Sequence, residues 1–177
     1  RDPLTGLLNR RGFDDAVTRS MGRGDAGGYA EALVVLDLDG FKPINDTWGH
    51  AEGDEALRAV ARMLEAMVRG TDHAGRLGGD EFALYLAGLQ QAGDLARVLE
   101  RLERVRRAHN SQEAARGRAY EIRWSVGATV RAPGDTLAAM LGRADAELYV
   151  AKHATTHATT HGAAQEAREA RPEAARG

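Results

Sequence analysis

The alternation of apolar and polar positions divides the chain into short elements of two kinds. Residues 9–17 place Phe13 and Val17 one turn apart, which predicts a short helix stopped by Gly22-Arg23-Gly24 and followed by a glycine-rich loop through Gly28. Residues 29–38 form a nearly continuous apolar run with a β-branched centre that ends at an acid, the pattern of a central strand buried on both faces. Beyond residues 41–50, the stretch 53–68 sets Ala56, Val60, Met63, Leu64 and Met67 at three- and four-residue intervals, a helix with one apolar stripe for the sheet. Arg76-Leu77 and residues 82–86 read as the arms of a hairpin, and residues 94–109 carry Leu95, Val98, Leu99, Leu102 and Val105 as a second covering helix. Residues 120–130 alternate as a half-buried strand, and residues 136–152 return to helical spacing with Leu137, Met140, Leu141, Ala144 and Leu148. Strands alternating with helices imply an α/β domain.

From His153 onward the pattern is lost. Ala154-Thr155-Thr156-His157 repeats at once as Ala158-Thr159-Thr160-His161, and an Ala/Glu/Arg stretch broken by Pro172 follows. The expectation is an ordered domain over residues 1–152 and a biased, weakly structured tail over 153–177. A helix in the tail would align His153, His157 and His161 as transition-metal ligands. The β-branched threonines disfavour that helix, so a solvated tail is the expected form.

Chemistry concentrates where strands meet loops. Gly78-Gly79-Asp80-Glu81-Phe82 sets two adjacent carboxylates beside two glycines, where a metal-bound triphosphate can approach backbone closely. The same letters also suit a two-residue hairpin turn with charged neighbours. Asp37 and Asp39 end the central strand; they either start a turn or join Asp80 in a crevice at the sheet edge. A hard divalent cation takes one or two carboxylates plus substrate phosphates, which makes Asp37 with Asp80 a sensible pair.

Composition removes other readings. The chain of 177 residues has no cysteine, hence no disulfide framework, thiol nucleophile or sulfur-bound zinc. A domain of this length buries about 70% of its unfolded surface and needs no staple. The net charge of −2, without a basic stripe, offers no footprint for nucleic acid. No apolar run nears the roughly 20 residues that span a bilayer, so no membrane contact is expected of this stretch. The abrupt start at Arg1, without methionine, suggests a piece of a longer chain whose sensor or anchor lies elsewhere.

Four separated motifs, in order, carry a resemblance. They are Asp2-Pro3-Leu4-Thr5-Gly6-Leu7-Leu8-Asn9-Arg10; Asp37-Leu38-Asp39-Gly40-Phe41-Lys42-Pro43-Ile44-Asn45-Asp46; Gly49-His50 with Gly53-Asp54; and Arg76-Leu77-Gly78-Gly79-Asp80-Glu81-Phe82. Over residues 2–152 the chain resembles the GGDEF family of diguanylate cyclases. The resemblance implies a nucleotidyl-cyclase-like palm, a central mixed five-stranded sheet surrounded by helices. It also implies an enzyme that condenses two GTP into cyclic di-GMP and two pyrophosphates, and the lack of cysteine fits a reducing cytoplasm. Each subunit holds one GTP, so catalysis requires a homodimer and proximity supplies much of the rate.

Matched position by position, Asp37 and Asp80 resemble the family's ligands for Mg²⁺, with Mn²⁺ as the alternative ion, and the Leu38 carbonyl its main-chain ligand. Glu81 is either the base for the attacking hydroxyl or a further metal ligand. The Gly40 and Phe41 amides and the Lys42 and Lys152 side chains would meet the phosphates, with Lys42 also countering charge in the transition state. Asn45, His50 and Asp54 resemble the guanine-recognition set. Asp54 would accept from the guanine N1–H and exocyclic amine, which argues for GTP and against an ATP cyclase. Arg69 and Asp72, with five residues between Asp72 and Gly78, match the spacing of the family's inhibitory product site. One departure stands out: the arginine that the family places at position 156 is Thr156 here. Losing a phosphate-binding cation would weaken GTP binding by about 1–3 kcal/mol, so Thr156→Arg should tighten it. That departure keeps alive a reading from another class, a GTP or cyclic di-GMP binding module that regulates an attached domain.

Overall fold

Ten elements follow one another among the described residues: β1 (Leu8–Asn9), α1 (Arg10–Ser20), β2 (Ala30–Leu38), α2 (Phe41–Trp48), α3 (His50–Glu65), β3 (His73–Arg76), β4 (Glu81–Leu89), α4 (Asp94–Ala115), β5 (Trp124–Val130) and α5 (Leu137–Glu169). The structure, a computed structural model, describes residues 1–21 and 28–169, with side chains up to residue 154. The expected stop at Gly22-Arg23-Gly24, the side chains of Thr156, His157 and His161, and Pro172 lie outside the described residues.

The strands form a five-stranded sheet in the order β1-β3-β4-β2-β5. β1 runs parallel to β3 and the other pairs are antiparallel, so the sheet is mixed as expected. β2 lies between β4 and β5, and its residues 31–36 are all buried, which is why its sequence reads apolar throughout rather than alternating. Ala32, Val34, Leu36 and Leu38 face one core with α3 and the inner side of α4. Leu33 and Val35 face a second core with Phe13 and Val17 of α1 and Met140 and Ala144 of α5. Each fully buried large apolar side chain contributes about 1.5–3 kcal/mol.

Two glycines set how closely the helices approach. A Cβ on Gly127 of β5 would lie 2.0 Å from the Ala144 carbonyl oxygen and 2.5 Å from the Leu148 nitrogen, so α5 rests on bare strand backbone. A Cβ on Gly75 of β3 would lie 2.7 Å from the Phe13 ring. These contacts fix α5 and α1 against the sheet edge that carries the acids.

Four elements differ from expectation. β1, Leu8–Asn9, is a two-residue strand that reaches the first residue of the expected helix, and Asn9 caps α1 instead, accepting from the Gly12 N–H at 2.9 Å. α2 was hidden by Pro43, Asn45, Asp46 and Thr47, all poor helix formers. Pro43, however, stands in the first turn, where no intrahelical N–H is needed. β5 starts at Trp124 rather than residue 120, because the Asn110 side chain binds both backbone groups of Ile122, at 3.0 and 2.8 Å, and takes them from the ladder. α5 runs past Lys152 to Glu169, where recurring alanines support a helix that the threonines alone would not.

Candidate active site

The acids meet at one end of the sheet. Asp37 stands opposite Glu81 in the β2–β4 register, and the Leu38 N–H donates to the Asp80 carbonyl at 3.2 Å. Asp37, Asp80 and Glu81 therefore lie side by side although more than forty residues separate the first from the others. The turn is not the two-residue hairpin that Gly78-Gly79 suggests. The Leu77 N–H donates to the Glu81 carbonyl at 2.8 Å, which encloses Gly78, Gly79 and Asp80. Neither glycine has the positive φ that such a hairpin requires. Their smallness serves space instead: a Cβ on Gly78 would lie 2.9 Å from a Glu81 carboxylate oxygen, and Gly79 faces open space.

Electrostatically the cluster is unsettled. Burial pushes the Asp80 carboxyl above its ordinary value, and the neighbouring Asp37 charge pushes it further. Its own backbone N–H, Lys152 and Arg76 oppose this only in part. Lys152 of α5 places Nζ 2.7 Å from Asp37 Oδ1. Among the described residues no three His, Cys, Asp or Glu side chains gather for a metal. Two carboxylates short of positive charge nevertheless suit a hard divalent cation that completes its shell with phosphate and water oxygens. Asp39 turns away and accepts from Ser125 Oγ at 2.9 Å.

The turn is braced by residues to which the motif reading assigned no role. Arg76 donates to the Gly79 carbonyl from Nε at 3.0 Å and from Nη2 at 2.7 Å. Its Nη1 pairs with Asp2 at 3.1 Å. Asp2 also accepts from the Thr5 backbone and hydroxyl, at 2.9 and 2.7 Å. Burial raises the Asp2 carboxyl, but these bonds and Arg76 together hold it below its ordinary value. Arg10 donates to the Leu77 carbonyl at 2.9 Å and lies 3.5 Å from Glu81. The available signal was an acid followed three residues on by threonine, an Asx-type turn, together with an arginine just before the glycines.

Beside the acids, Gly40 starts α2 at φ +75, a left-handed conformation that glycine adopts without strain. A Cβ there would meet nothing within 4 Å, so the local constraint on Gly40 is its conformation. Phe41 packs partly into the core, and Lys42 is exposed with Nζ 2.9 Å from Asp46. Asn45, His50 and Asp54 share the α2–α3 corner. A Cβ on Gly53 would lie 2.0 Å from Asn45 Oδ1, the Gly49 N–H donates to the Asn45 carbonyl at 2.9 Å, and Asp54 lies 3.9 Å from Arg58.

Arg69 and Asp72 stand apart from this edge, on a cavity of about 430 Å³ that Arg97 and Arg101 of α4 also line. The Asp72 carboxylate accepts from the Arg69 N–H and the Ala87 N–H, each at 3.0 Å. Arg97 and Arg101 escaped the sequence reading because they lie on the polar side of an amphipathic helix.

The family model described as "Diguanylate cyclase, GGDEF domain" matches residues 1–158. The "Probable diguanylate cyclase DgcC" of Escherichia coli is 36% identical over 155 residues, 87% of this chain and 41% of the relative. The "Diguanylate cyclase VdcA" of Vibrio cholerae is 35% identical over 158 residues, 86% of this chain and 44% of the relative. The chain thus spans less than half the length of these curated relatives. Among solved structures, diguanylate cyclase SiaD of Pseudomonas aeruginosa, in complex with its activator SiaC, superposes with a TM-score of 0.76 at 38% identity, covering 87% of this chain and 58% of that one. The GGDEF domain of DgcB from Caulobacter crescentus, in complex with c-di-GMP, gives 0.74 at 35%, covering 87% and 88%.

Proposed function

Because the chain belongs to the GGDEF diguanylate cyclase family, we propose that it condenses two GTP into cyclic di-GMP with release of two pyrophosphates. In each of two equivalent steps the 3′-hydroxyl of one GTP attacks the α-phosphorus of the other. A P–O bond forms, the bond to pyrophosphate breaks, and the hydroxyl proton leaves to a base. One chain supplies one GTP site, so two chains must face each other. The observation that supports this best is the pairing of Asp37 with Asp80 at the sheet edge, two close carboxylates with a lysine beside them and room over Gly79.

Asp37, Asp80 and the Leu38 carbonyl would hold Mg²⁺ or Mn²⁺, which supplies charge neutralisation on the phosphates. Glu81 takes the hydroxyl proton or adds a ligand. Lys42, Lys152 and the Gly40 and Phe41 amides bind the phosphates, and Asn45, His50 and Asp54 select guanine. Arg69 and Asp72 bind the product as an inhibitor; the cavity beside them and the c-di-GMP held by the DgcB domain both support this reading. Residues 1–152 form the cyclase domain and 153–177 an extension outside it. With GTP as substrate, the reaction belongs in the cytoplasm. No helix among the described residues is long and apolar enough to cross a membrane.

The test incubates the protein with GTP and Mg²⁺ at high concentration, beside an Asp80→Ala, Glu81→Ala control, and separates nucleotides chromatographically. Cyclic di-GMP from the parent alone is expected. GTP binding without product, even after forced dimerisation, would overturn the cyclase in favour of a regulatory binding module.

A further inference from the structure

The chain contains two lysines, Lys42 and Lys152, and every other side chain of the Lys/Arg class is arginine. Both lysines are assigned to the phosphates in the proposed function, whereas the braces that hold the fold use arginine, as in Arg76 with Asp2 and Arg131 with the buried Glu31. The distinction is physical. A guanidinium grips a carboxylate through a planar fork, while an ammonium is a strongly hydrated point charge on a flexible stem and lets go more easily.

Lys152 sits on Asp37 at 2.7 Å, where a divalent ion would need that same carboxylate. The Asp37 side chain is 14% exposed and that of Lys152 37%, so the acid is fixed in the site while the ammonium has a way out to solvent. The bare backbone of Gly127 lets α5 pack close to the strand, which brings the Lys152 backbone near the acids, and the flexible lysine stem allows exchange without any movement of the helix.

Resting on the metal reading above, we propose that Lys152 is an exchangeable counter-ion. In the metal-free protein it neutralises Asp37; a divalent cation at Asp37 and Asp80 displaces it, and the freed ammonium turns to the polyphosphate. Metal loading and phosphate binding are thereby coupled through one side chain. Lys42, paired with Asp46 on its own helix, takes no part in the exchange.

The experiment uses nucleotide-free protein and Mn²⁺ as probe. Free Mn²⁺ is followed by electron paramagnetic resonance, and acylation of the two lysines by an activated ester is followed by peptide mass spectrometry. Bound Mn²⁺ should speed acylation of Lys152 by about three- to tenfold, the span of breaking a partly exposed ion pair, and leave Lys42 unchanged. Lys152→Met should bind Mn²⁺ tighter by a similar factor, and Lys152→Arg weaker, because the fork competes better for Asp37. Bound Mn²⁺ with unchanged Lys152 acylation, or Lys152→Met binding no tighter than the parent, overturns the exchange and leaves the metal site standing. If neither parent nor Lys152→Met binds Mn²⁺ without nucleotide, the exchange is overturned; if Mn²⁺ stays free even with a non-hydrolysable GTP analogue present, the assignment of Asp37 and Asp80 as ligands falls as well.

Discussion

The β3–β4 hairpin has an aspartate at each end, and the fold holds them in opposite ways. At the turn, Asp80 is held by its backbone: its carbonyl accepts from Leu38, and Arg76 and Arg10 fasten the carbonyls of Gly79 and Leu77 on either side. Its carboxylate is left crowded against Asp37 and pushed toward the protonated form. At the other end, the Asp72 carboxylate is itself a structural element, with one oxygen for the Arg69 N–H and the other for the Ala87 N–H. Where the backbone is fixed by outside braces, the side chain stays available for chemistry. Where the side chain does the bracing, a ligand has to share it.

The sharpest break of this contrast is Asp80→Asn. Turnover should fall by at least about 10³-fold, the scale of losing a central metal or transition-state contact, as read by cyclic di-GMP formation. Stability of the metal-free protein should not fall. The folded carboxyl titrates above its ordinary 3.8, so the native state holds this proton more tightly than the unfolded chain. The parent therefore loses stability relative to Asp80→Asn as pH rises from the ordinary value of 3.8 through the raised folded one. Melting temperatures of both proteins in chelator across that window check the sign. A parent that gains on the variant with rising pH would show Asp80 to be a stabilised, ordinary ion-pair partner.

How much of this could be read from the sequence follows from how local each signal is. The central strand was legible because double burial leaves an unbroken apolar run, and the carboxylate pair because acids at strand ends share a sheet edge. α2 was not, since Pro43 is acceptable only in the first turn that Gly40 opens and Asn45, Asp46 and Thr47 after it are poor helix formers. The braces were not, since Asp2 and Arg76 lie seventy-four positions apart and meet only through the sheet. Arg97 and Arg101 look like any solvated helix face until α4 is seen to wall a cavity with Arg69.

A second test sharpens the distal end. If that cavity takes the product, Arg97→Ala with Arg101→Ala should raise the concentration of cyclic di-GMP needed for half-inhibition about thirtyfold, two lost charge-assisted contacts at a partly exposed site. Uninhibited turnover should stay as in the parent, because neither arginine reaches the acids. Half-inhibition unchanged in the double variant would remove α4 from the product site.

The smallest effect is also the most direct comparison, because it makes the same change at both ends of one hairpin. Asp72→Asn keeps the shape of the side chain but leaves one acceptor oxygen where the fold uses two. Either the Arg69 or the Ala87 N–H must then lose its partner to an amide that can only donate. The loss should be about 1 kcal/mol, or a melting temperature about 2–4 °C lower for a domain of this size. Asp80→Asn, the identical substitution a few residues away, should show no such drop, since its bracing bonds are all to backbone. Scanning calorimetry of the two variants in metal-free buffer decides it. If Asp72→Asn melts with the parent while Asp80→Asn melts early, the carboxylate that braces the hairpin is the catalytic one, and the division between the two ends is reversed.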